Sequence, residues 1–120
     1  MKPNSKTKKK TSNIRIVQVN SYLGAEVIGL DLSKKLKKLE IKIIEAQLAK
    51  YGVLVFREQP MTGDQLMDFG ENFGQLSVHP FSPNDKKNPA LILFKNDKTT
   101  PPWKTDVWHS DETFRKIPPF

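Results

Sequence analysis

Three short runs of β-branched and apolar residues in the first half of the chain predict β-strands. Residues 14–19 are rich in β-branched side chains and predict a first strand, and residues 26–30 predict a second strand after a turn at Gly24. Residues 53–56 form a continuous apolar run between glycine and polar residues. Such a run predicts a short strand with both faces buried.

Between the second and third predicted strands, apolar residues recur at helical spacing over residues 36–51, which predicts a helix. Asp31 and Ser33 precede this helix with side chains that can cap it, and Gly52 is placed to end it. The predicted buried face comprises Leu36, Leu39, Ile43 and Ala46, widened by Ile41, Ile44, Leu48 and Tyr51.

A second helix is predicted where Thr62 and Gln65 have the spacing of a capping box, and it is expected to end at Gly74. Its predicted buried stripe comprises Leu66, Phe69, Gly70 and Phe73. Residues 75–89 predict a loop with three prolines, and the apolar run 91–94 predicts another buried strand. Strands interspersed with two helices place the chain in the mixed α and β class.

Composition removes several classes of function. The 120 residues include no cysteine, which excludes disulfides, cysteine-ligated metal sites and cysteine nucleophiles. No apolar run approaches the length of a membrane span, and no glycine-rich segment resembles a phosphate-binding loop.

The net charge of +7 is concentrated in the N-terminal segment. Five lysines lie within residues 1–12, and without them 15 basic residues face 13 acidic ones, a net charge of +2. We therefore predict that residues 1–13 form a disordered, lysine-rich tail. A second group of lysines is predicted to be a solvated helix face: Lys34, Lys35, Lys37, Lys38 and Lys42.

The residues with the strongest chemical potential are the two histidines, His79 and His109. On an extended backbone His109 and Asp111 point to the same side, so the two side chains can share a metal ion. With a second, distant histidine, such a pair forms the facial triad of Fe(II) oxygenases. The spacing by itself favours a turn in which both side chains bond the backbone, and for His79 too the residues alone favour a turn residue that caps backbone groups.

Several segments, in order and at matching spacing, resemble the N-terminal part of the taurine/2,4-dichlorophenoxyacetate dioxygenase (TauD/TfdA-type) family of Fe(II)- and 2-oxoglutarate-dependent oxygenases. The resemblance covers residues 14–120. Its segments are Gly24-Ala25-Glu26-Val27, Gly29-Leu30-Asp31-Leu32-Ser33, Tyr51-Gly52-Val53-Leu54-Val55-Phe56-Arg57, Phe73-Gly74-Gln75-Leu76 leading into His79-Pro80, and Trp108-His109-Ser110-Asp111-Glu112-Thr113-Phe114 before Pro118-Pro119.

This resemblance implies a partial double-stranded β-helix (jelly-roll) with flanking helices, of which residues 14–120 are the N-terminal portion and the C-terminal part is missing. It implies that His109 and Asp111 bind Fe(II) and that His79 contacts the substrate. The third ligand, a downstream histidine, and the arginine that pairs with 2-oxoglutarate are absent from the chain. The implied reaction uses O2 and 2-oxoglutarate to hydroxylate a small, anionic organic substrate, with release of succinate and CO2.

Two positions depart from the pattern of taurine-cleaving members, which carry a tyrosine where Ser82 stands and an asparagine where Thr105 stands. These departures argue against taurine itself, and the expected substrate is taurine-like, sulfonate-like or a related anion. The chain alone is expected to be an inactive fragment. The expected partners are a small molecule and, in the full-length form, further copies of the protein, with no specific nucleic acid and no membrane, in the cytoplasm. The alternative is a non-enzymatic basic module that binds anionic partners through its lysine-rich tail.

Overall fold

The computed structural model describes residues 13–94, 97–99 and 108–117. The chain divides into two compact units, Met1–Phe69 and Gly70–Phe120. The predicted disordered tail lies, except for its last residue, outside the described residues.

The first unit contains a three-stranded mixed sheet in the order β1-β2-β3. The strands are β1 (Arg15–Gln18), β2 (Ala25–Ile28) and β3 (Leu54–Val55). β1 and β2 form an antiparallel hairpin in which Ile16 is opposite Val27, and β3 pairs with β2 in parallel. A parallel pair needs a long crossover connection, and here the chain between β2 and β3 contains a helix.

The centre of the sheet is its most buried part. In β2, Ala25 and Val27 are buried, whereas the edge strands are half-buried or exposed. The third strand was predicted as buried on both faces, and this is wrong: Leu54 and Val55 are half-buried, and Val53 is 45% exposed. With only one neighbouring strand, β3 lies at an edge of the sheet and keeps partial contact with solvent.

The first helix, α1, spans Lys38–Tyr51. Gly52 ends it as predicted, with a φ of 72° and its N–H donating to the Leu48 carbonyl at 2.8 Å. Its start differs from the prediction, because the carboxylate of Glu40 accepts the Lys37 N–H at 2.8 Å. Asp31 instead accepts the N–H and hydroxyl of Ser33 in a preceding turn, so it does not cap the helix.

The buried line of α1 also differs from the predicted face. Leu36, Glu40 and Ile44, spaced four residues apart, are buried, whereas Leu39 is 64% exposed and Ala46 is exposed. Glu40 tolerates burial because its carboxylate is hydrogen-bonded to the backbone at the helix start. The predicted solvated face is confirmed, since all five lysines of that group are exposed: Lys34, Lys35, Lys37, Lys38 and Lys42.

The second helix, α2, spans Gly63–Gly70 and is followed by a 3-10 turn at Glu71–Phe73. Its capping box is confirmed: Gln65 N–H donates to the Thr62 hydroxyl at 3.2 Å, and Thr62 N–H donates to the Gln65 side-chain oxygen at 2.9 Å. None of the residues in the predicted stripe is buried, and Leu66 is 48% exposed. Neither helix is long and apolar enough to cross a membrane, within the described part of the chain.

The described residues of the second unit form mainly loops and turns. A single β-bridge joins Asn84 to Ile92, and a hydrogen bond from the Asp85 N–H to the Leu91 carbonyl (2.8 Å) closes the loop between them. The buried strand predicted over 91–94 is wrong: the run is half-buried at its first residue, and Ile92, Leu93 and Phe94 are 38%, 54% and 64% exposed.

Candidate metal and substrate site

The loop that carries His79 is held by hydrogen bonds from three residues that follow it to the ring and the carbonyl of His79. The ring Nδ1 of His79 lies 3.2 Å from the Phe81 amide nitrogen and 2.8 Å from the Ser82 hydroxyl oxygen. The Asn84 side-chain amide donates to the His79 carbonyl at 2.7 Å. These contacts explain how a proline-rich segment without regular secondary structure can hold a half-buried imidazole in one orientation.

The predicted His109 and Asp111 pair is brought together in the structure. His109 Nε2 lies 3.1 Å from Asp111 Oδ1, and the two side chains are 52% and 90% exposed. The backbone forms no strand at residues 108–110, and a turn begins at Asp111, which is the local conformation of the alternative interpretation. The turn brings the imidazole and the carboxylate to the same side, where both face solvent.

The spacing of this pair fits cis ligands of an octahedral metal ion. Two donor atoms at about 2.1 Å from a metal and at right angles lie about 3.0 Å apart. The observed separation of 3.1 Å between Nε2 and Oδ1 is close to that value. Imidazole nitrogen and carboxylate oxygen are also the donor types that non-haem Fe(II) uses. No cluster of three or more metal-binding side chains occurs among the described residues, and this pair brings two such side chains together.

Three rings connect the His79 loop with the turn that follows Asp111. His79 lies edge-on to Phe114 and to Phe81, with ring centroids 5.9 and 6.1 Å apart, and Phe81 and Phe114 are also 5.9 Å apart. Edge-to-face pairs at this separation are attractive. The two histidine-bearing segments are more than 30 residues apart in sequence, and these contacts make them neighbours in the second unit.

An ion pair fixes the same junction. Arg115 pairs with Glu112, and its Nη2 donates to the Val78 carbonyl at 3.2 Å. Glu112 has a φ of 47°, a left-handed backbone conformation that is strained for residues other than glycine. The ion pair lies within this turn, and the Arg115 hydrogen bond holds the turn against Val78, the residue before His79.

Sequence reasoning identified His79, His109 and Asp111 but missed the residues that orient them. In the sequence Ser82 stands out only as a departure from a family pattern, and no local pattern marks Phe114 or Arg115 as residues that orient the site. The i,i+3 spacing of Glu112 and Arg115 is a signal for an ion pair, but the contacts to Val78 and His79 leave no trace in the local sequence. Thr105, the other departure, lies outside the described residues.

The family is established by comparison of the sequence with known families. The model of the Taurine catabolism dioxygenase TauD, TfdA family matches residues 15–120. The chain therefore belongs to the TauD/TfdA family, and the resemblance seen in its motifs is confirmed.

Two relatives illustrate the similarity. The chain is 42% identical over 114 residues to the alpha-ketoglutarate-dependent 2,4-dichlorophenoxyacetate dioxygenase of Cupriavidus pinatubonensis, covering 82% of this chain and 40% of the relative. It is 27% identical over 129 aligned residues to the alpha-ketoglutarate-dependent sulfonate dioxygenase of Saccharomyces cerevisiae, covering 93% of this chain and 30% of the relative. The chain thus spans less than half the length of either relative.

The structure resembles that of a family member as well. A crystal structure of a taurine dioxygenase from Burkholderia xenovorans matches with a TM-score of 0.60 and 34% identity. The match covers 63% of this chain and 28% of the neighbour. The mixed α and β class is thereby confirmed.

Proposed function

We propose that this chain carries part of the active site of an Fe(II)- and 2-oxoglutarate-dependent dioxygenase that hydroxylates a small, anionic organic substrate and releases succinate and CO2. The observation that carries the proposal is the 3.1 Å separation of His109 Nε2 and Asp111 Oδ1 within a segment matched by the family model. The activity is proposed for the whole protein, whose core would be a double-stranded β-helix.

His109 and Asp111 are the proposed iron ligands. In the chain without metal, His109 Nε2 and Asp111 Oδ1 lie in direct contact. Metal binding would replace that contact, with the Nε2 lone pair and one carboxylate oxygen directed at the ion. The iron, once bound with 2-oxoglutarate, would activate O2, which is the oxidant and supplies one oxygen atom to the hydroxylated product and one to succinate. A chain that supplies two ligands is expected to hold iron weakly and to be inactive alone.

The substrate is proposed to carry a sulfonate, sulfate ester or carboxylate group. This class is supported by relatives named for sulfonates, for sulfate esters and for 2,4-dichlorophenoxyacetate. Each of these compounds is a small molecule with an anionic end. His79 is the proposed contact for that end, because its ring lies half-buried beside the aromatic rings that adjoin the Asp111 turn.

Metal binding tests the proposal without depending on turnover. We expect His109→Ala and Asp111→Ala each to weaken Mn(II) binding to the chain by about 100-fold or more, because loss of outer-shell groups alone costs about 10- to 100-fold. Titration calorimetry and the Mn(II) paramagnetic resonance spectrum measure the affinity.

Ser110→Ala is the matched control, since this exposed residue lies between the two proposed ligands. It should leave the affinity unchanged. Equal Mn(II) affinity in the wild type and in both ligand variants would overturn the proposal, as would undiminished succinate release by the same variants of the active whole protein.

A further inference from the structure

Two neighbouring carboxylates follow His109, and the spacing of each can bring it to the same metal ion as the histidine. Asp111 stands two residues after His109, the spacing that an extended backbone brings to one side, and Glu112 stands three residues after it, the spacing that a helical turn brings to one side. Glutamate and histidine three residues apart both bind metal in helical di-iron proteins. Because a turn begins at Asp111, the local backbone does not by itself exclude Glu112 as a ligand.

The two carboxylates lie in opposite surroundings. The Asp111 side chain is almost fully exposed, and its Oδ1 lies 3.1 Å from His109 Nε2. The Glu112 side chain is largely buried and is paired with Arg115, and the two atoms of the pair, Glu112 Oε2 and Arg115 Nε, are both buried. Asp111 is therefore open to a metal ion that arrives from solvent, whereas Glu112 already has a cationic partner.

Arg115 is itself held in place by three further contacts. Its backbone N–H donates to the Glu112 carbonyl at 2.9 Å and closes the turn between the paired residues. Its Nη2 donates to the Val78 carbonyl at 3.2 Å, and its guanidinium lies 5.6 Å from the centre of the Phe114 ring. A guanidinium is not deprotonated in proteins, so the carboxylate of Glu112 has a fixed and permanently charged partner.

We propose that Arg115 is a positioning residue that makes Asp111, and not Glu112, the carboxylate ligand of the metal ion bound by His109. For Glu112 to bind the ion, a largely buried ion pair would have to break, which is strongly unfavourable. Asp111 binds without that loss. This role rests on the proposed function, because it presupposes His109 and Asp111 as the ligands, and Arg115 acts through Glu112 without contacting the metal.

A gain of metal binding tests this role, because damage to the fold can only weaken binding. Asp111→Ala removes one ligand, and adding Arg115→Met to it releases the Glu112 carboxylate. We expect the double variant to bind Mn(II) about 10-fold or more tighter than Asp111→Ala, since recovery of a direct ligand should exceed the effect of an outer-shell group. Titration calorimetry on the full chain measures the affinities, and an affinity no higher than that of Asp111→Ala overturns the proposal.

Loss of a positive charge can also strengthen the binding of a cation, so two further variants separate charge from ligation. Adding Glu112→Gln to the double variant should abolish the gain, and a gain that persists without Glu112 overturns the proposal. Combining Asp111→Ala with Lys116→Met removes the same charge from the exposed neighbour of Arg115 and should leave the affinity of Asp111→Ala unchanged.

Two measurements keep Asp111 in place and do not depend on how the double variant folds. Glu112→Gln alone should change Mn(II) affinity by less than about 10-fold, the lower end of outer-shell effects. A loss as large as that of Asp111→Ala would show that Glu112 is a ligand. In the wild type, the buried Arg115 Nε–H should exchange slowly with solvent in nitrogen–proton NMR spectra, with and without Zn(II) as a diamagnetic ion. Rapid exchange once Zn(II) is bound would show that Glu112 has left the pair, which overturns the proposal.

Failure of this role is distinguishable from failure of the proposed function. If Asp111→Ala weakens Mn(II) binding but Arg115→Met recovers none of it, the metal pair stands and only the role of Arg115 is overturned. If Asp111→Ala leaves Mn(II) affinity unchanged, the metal pair is wrong, and the role of Arg115 is overturned with it.

Discussion

Two acidic residues of this chain pair with a basic residue three positions further on, in different surroundings. The Asp31 carboxylate lies 2.6 Å from the Lys34 ammonium, and the side chains are 48% and 77% exposed. Glu112 pairs with Arg115 where the side chains are only 10% and 30% exposed. Solvent screens the first pair strongly and the second much less, so identical spacing leads to different energetic consequences.

The first prediction concerns the pH dependence of the exposed pair. Hydrogen bonds from Lys34 and then Ser33 lower the pKa of Asp31 from 3.8 to about 2. A depressed folded-state pKa contributes stability that is present above pH 4 and is lost as the pH falls toward 2. The difference in unfolding free energy between wild type and Asp31→Asn should therefore be constant above pH 4 and narrow below it.

Urea unfolding at a series of pH values measures that difference. The difference in unfolding free energy between the wild type and Lys34→Gln should likewise narrow below pH 4. Lys35→Gln, a change at the exposed neighbour, should follow the wild-type pH dependence. A difference in unfolding free energy between the wild type and Asp31→Asn that stays constant down to pH 2 would contradict the role of this ion pair.

The second prediction concerns the less exposed pair. Arg115→Met removes both the pairing with Glu112 and the hydrogen bond to the Val78 carbonyl, and it leaves a largely buried carboxylate unpaired. We expect a loss of about 1–3 kcal/mol in the stability of this junction. The nuclear Overhauser contacts between the His79 and Phe114 rings should weaken, because Arg115 holds the turn that carries Phe114.

Lys116→Met is the control for this change, since the neighbouring lysine is exposed. Ring contacts that persist in Arg115→Met at wild-type intensity would show that the aromatic packing alone holds the two segments together.

At the scale of secondary-structure elements, local signals decided where helices begin and end. The capping box of α2 has both of its reciprocal hydrogen bonds. Gly52 ends α1 with a positive φ, a conformation that costs glycine little. Gln65 also donates to the Ser33 carbonyl at 3.4 Å, so the cap of α2 helps to hold the loop before α1.

The third prediction tests the α2 cap. Thr62→Ala removes the side-chain acceptor for the Gln65 N–H and should lower the free energy of unfolding by about 1 kcal/mol. Thr62→Ser keeps the hydroxyl and should stay close to the wild type. The midpoint of urea denaturation measures both, and an alanine variant as stable as the wild type would show that solvent replaces the cap without cost.

At the scale of the whole molecule, apolar burial is unevenly distributed. All the buried hydrophobic side chains among the described residues belong to the first unit: Ala25, Val27, Leu32, Leu36 and Ile44. In the second unit, large apolar side chains such as Phe81 and Ile117 are 81% and 82% exposed. Its described residues are held together by hydrogen bonds, an ion pair and ring contacts rather than by a core.

The fourth prediction follows from this difference. Amide hydrogens of β2 and α1 should exchange slowest with solvent, because the core surrounds them, whereas those of residues 108–117 should exchange orders of magnitude faster. Mn(II) should slow exchange in the 108–117 segment selectively, since a ligand that binds only the folded form stabilises it by mass action. Uniform exchange across both units would contradict the uneven burial.

The sequence by itself determined the features that depend on neighbouring residues and on family pattern. The sequence predicts the order of the elements in the first part of the chain, the helix end at Gly52 and the capping box of α2. Each of these depends on residues within four positions of one another or on a regular repeat of apolar residues. The family was readable from the order and spacing of its motifs, and the match over residues 15–120 confirms it.

Only the tertiary structure decided which apolar residues are buried and what surrounds the candidate site. Glu40 is buried while Leu39 is exposed, and the apolar run 91–94 lies largely in solvent, because burial depends on partners that are remote in sequence. The contacts of His79 with Phe114, and of Arg115 with Val78, likewise join distant segments. The residue types at the site follow from the sequence, and their orientation follows from packing between segments that no local pattern encodes.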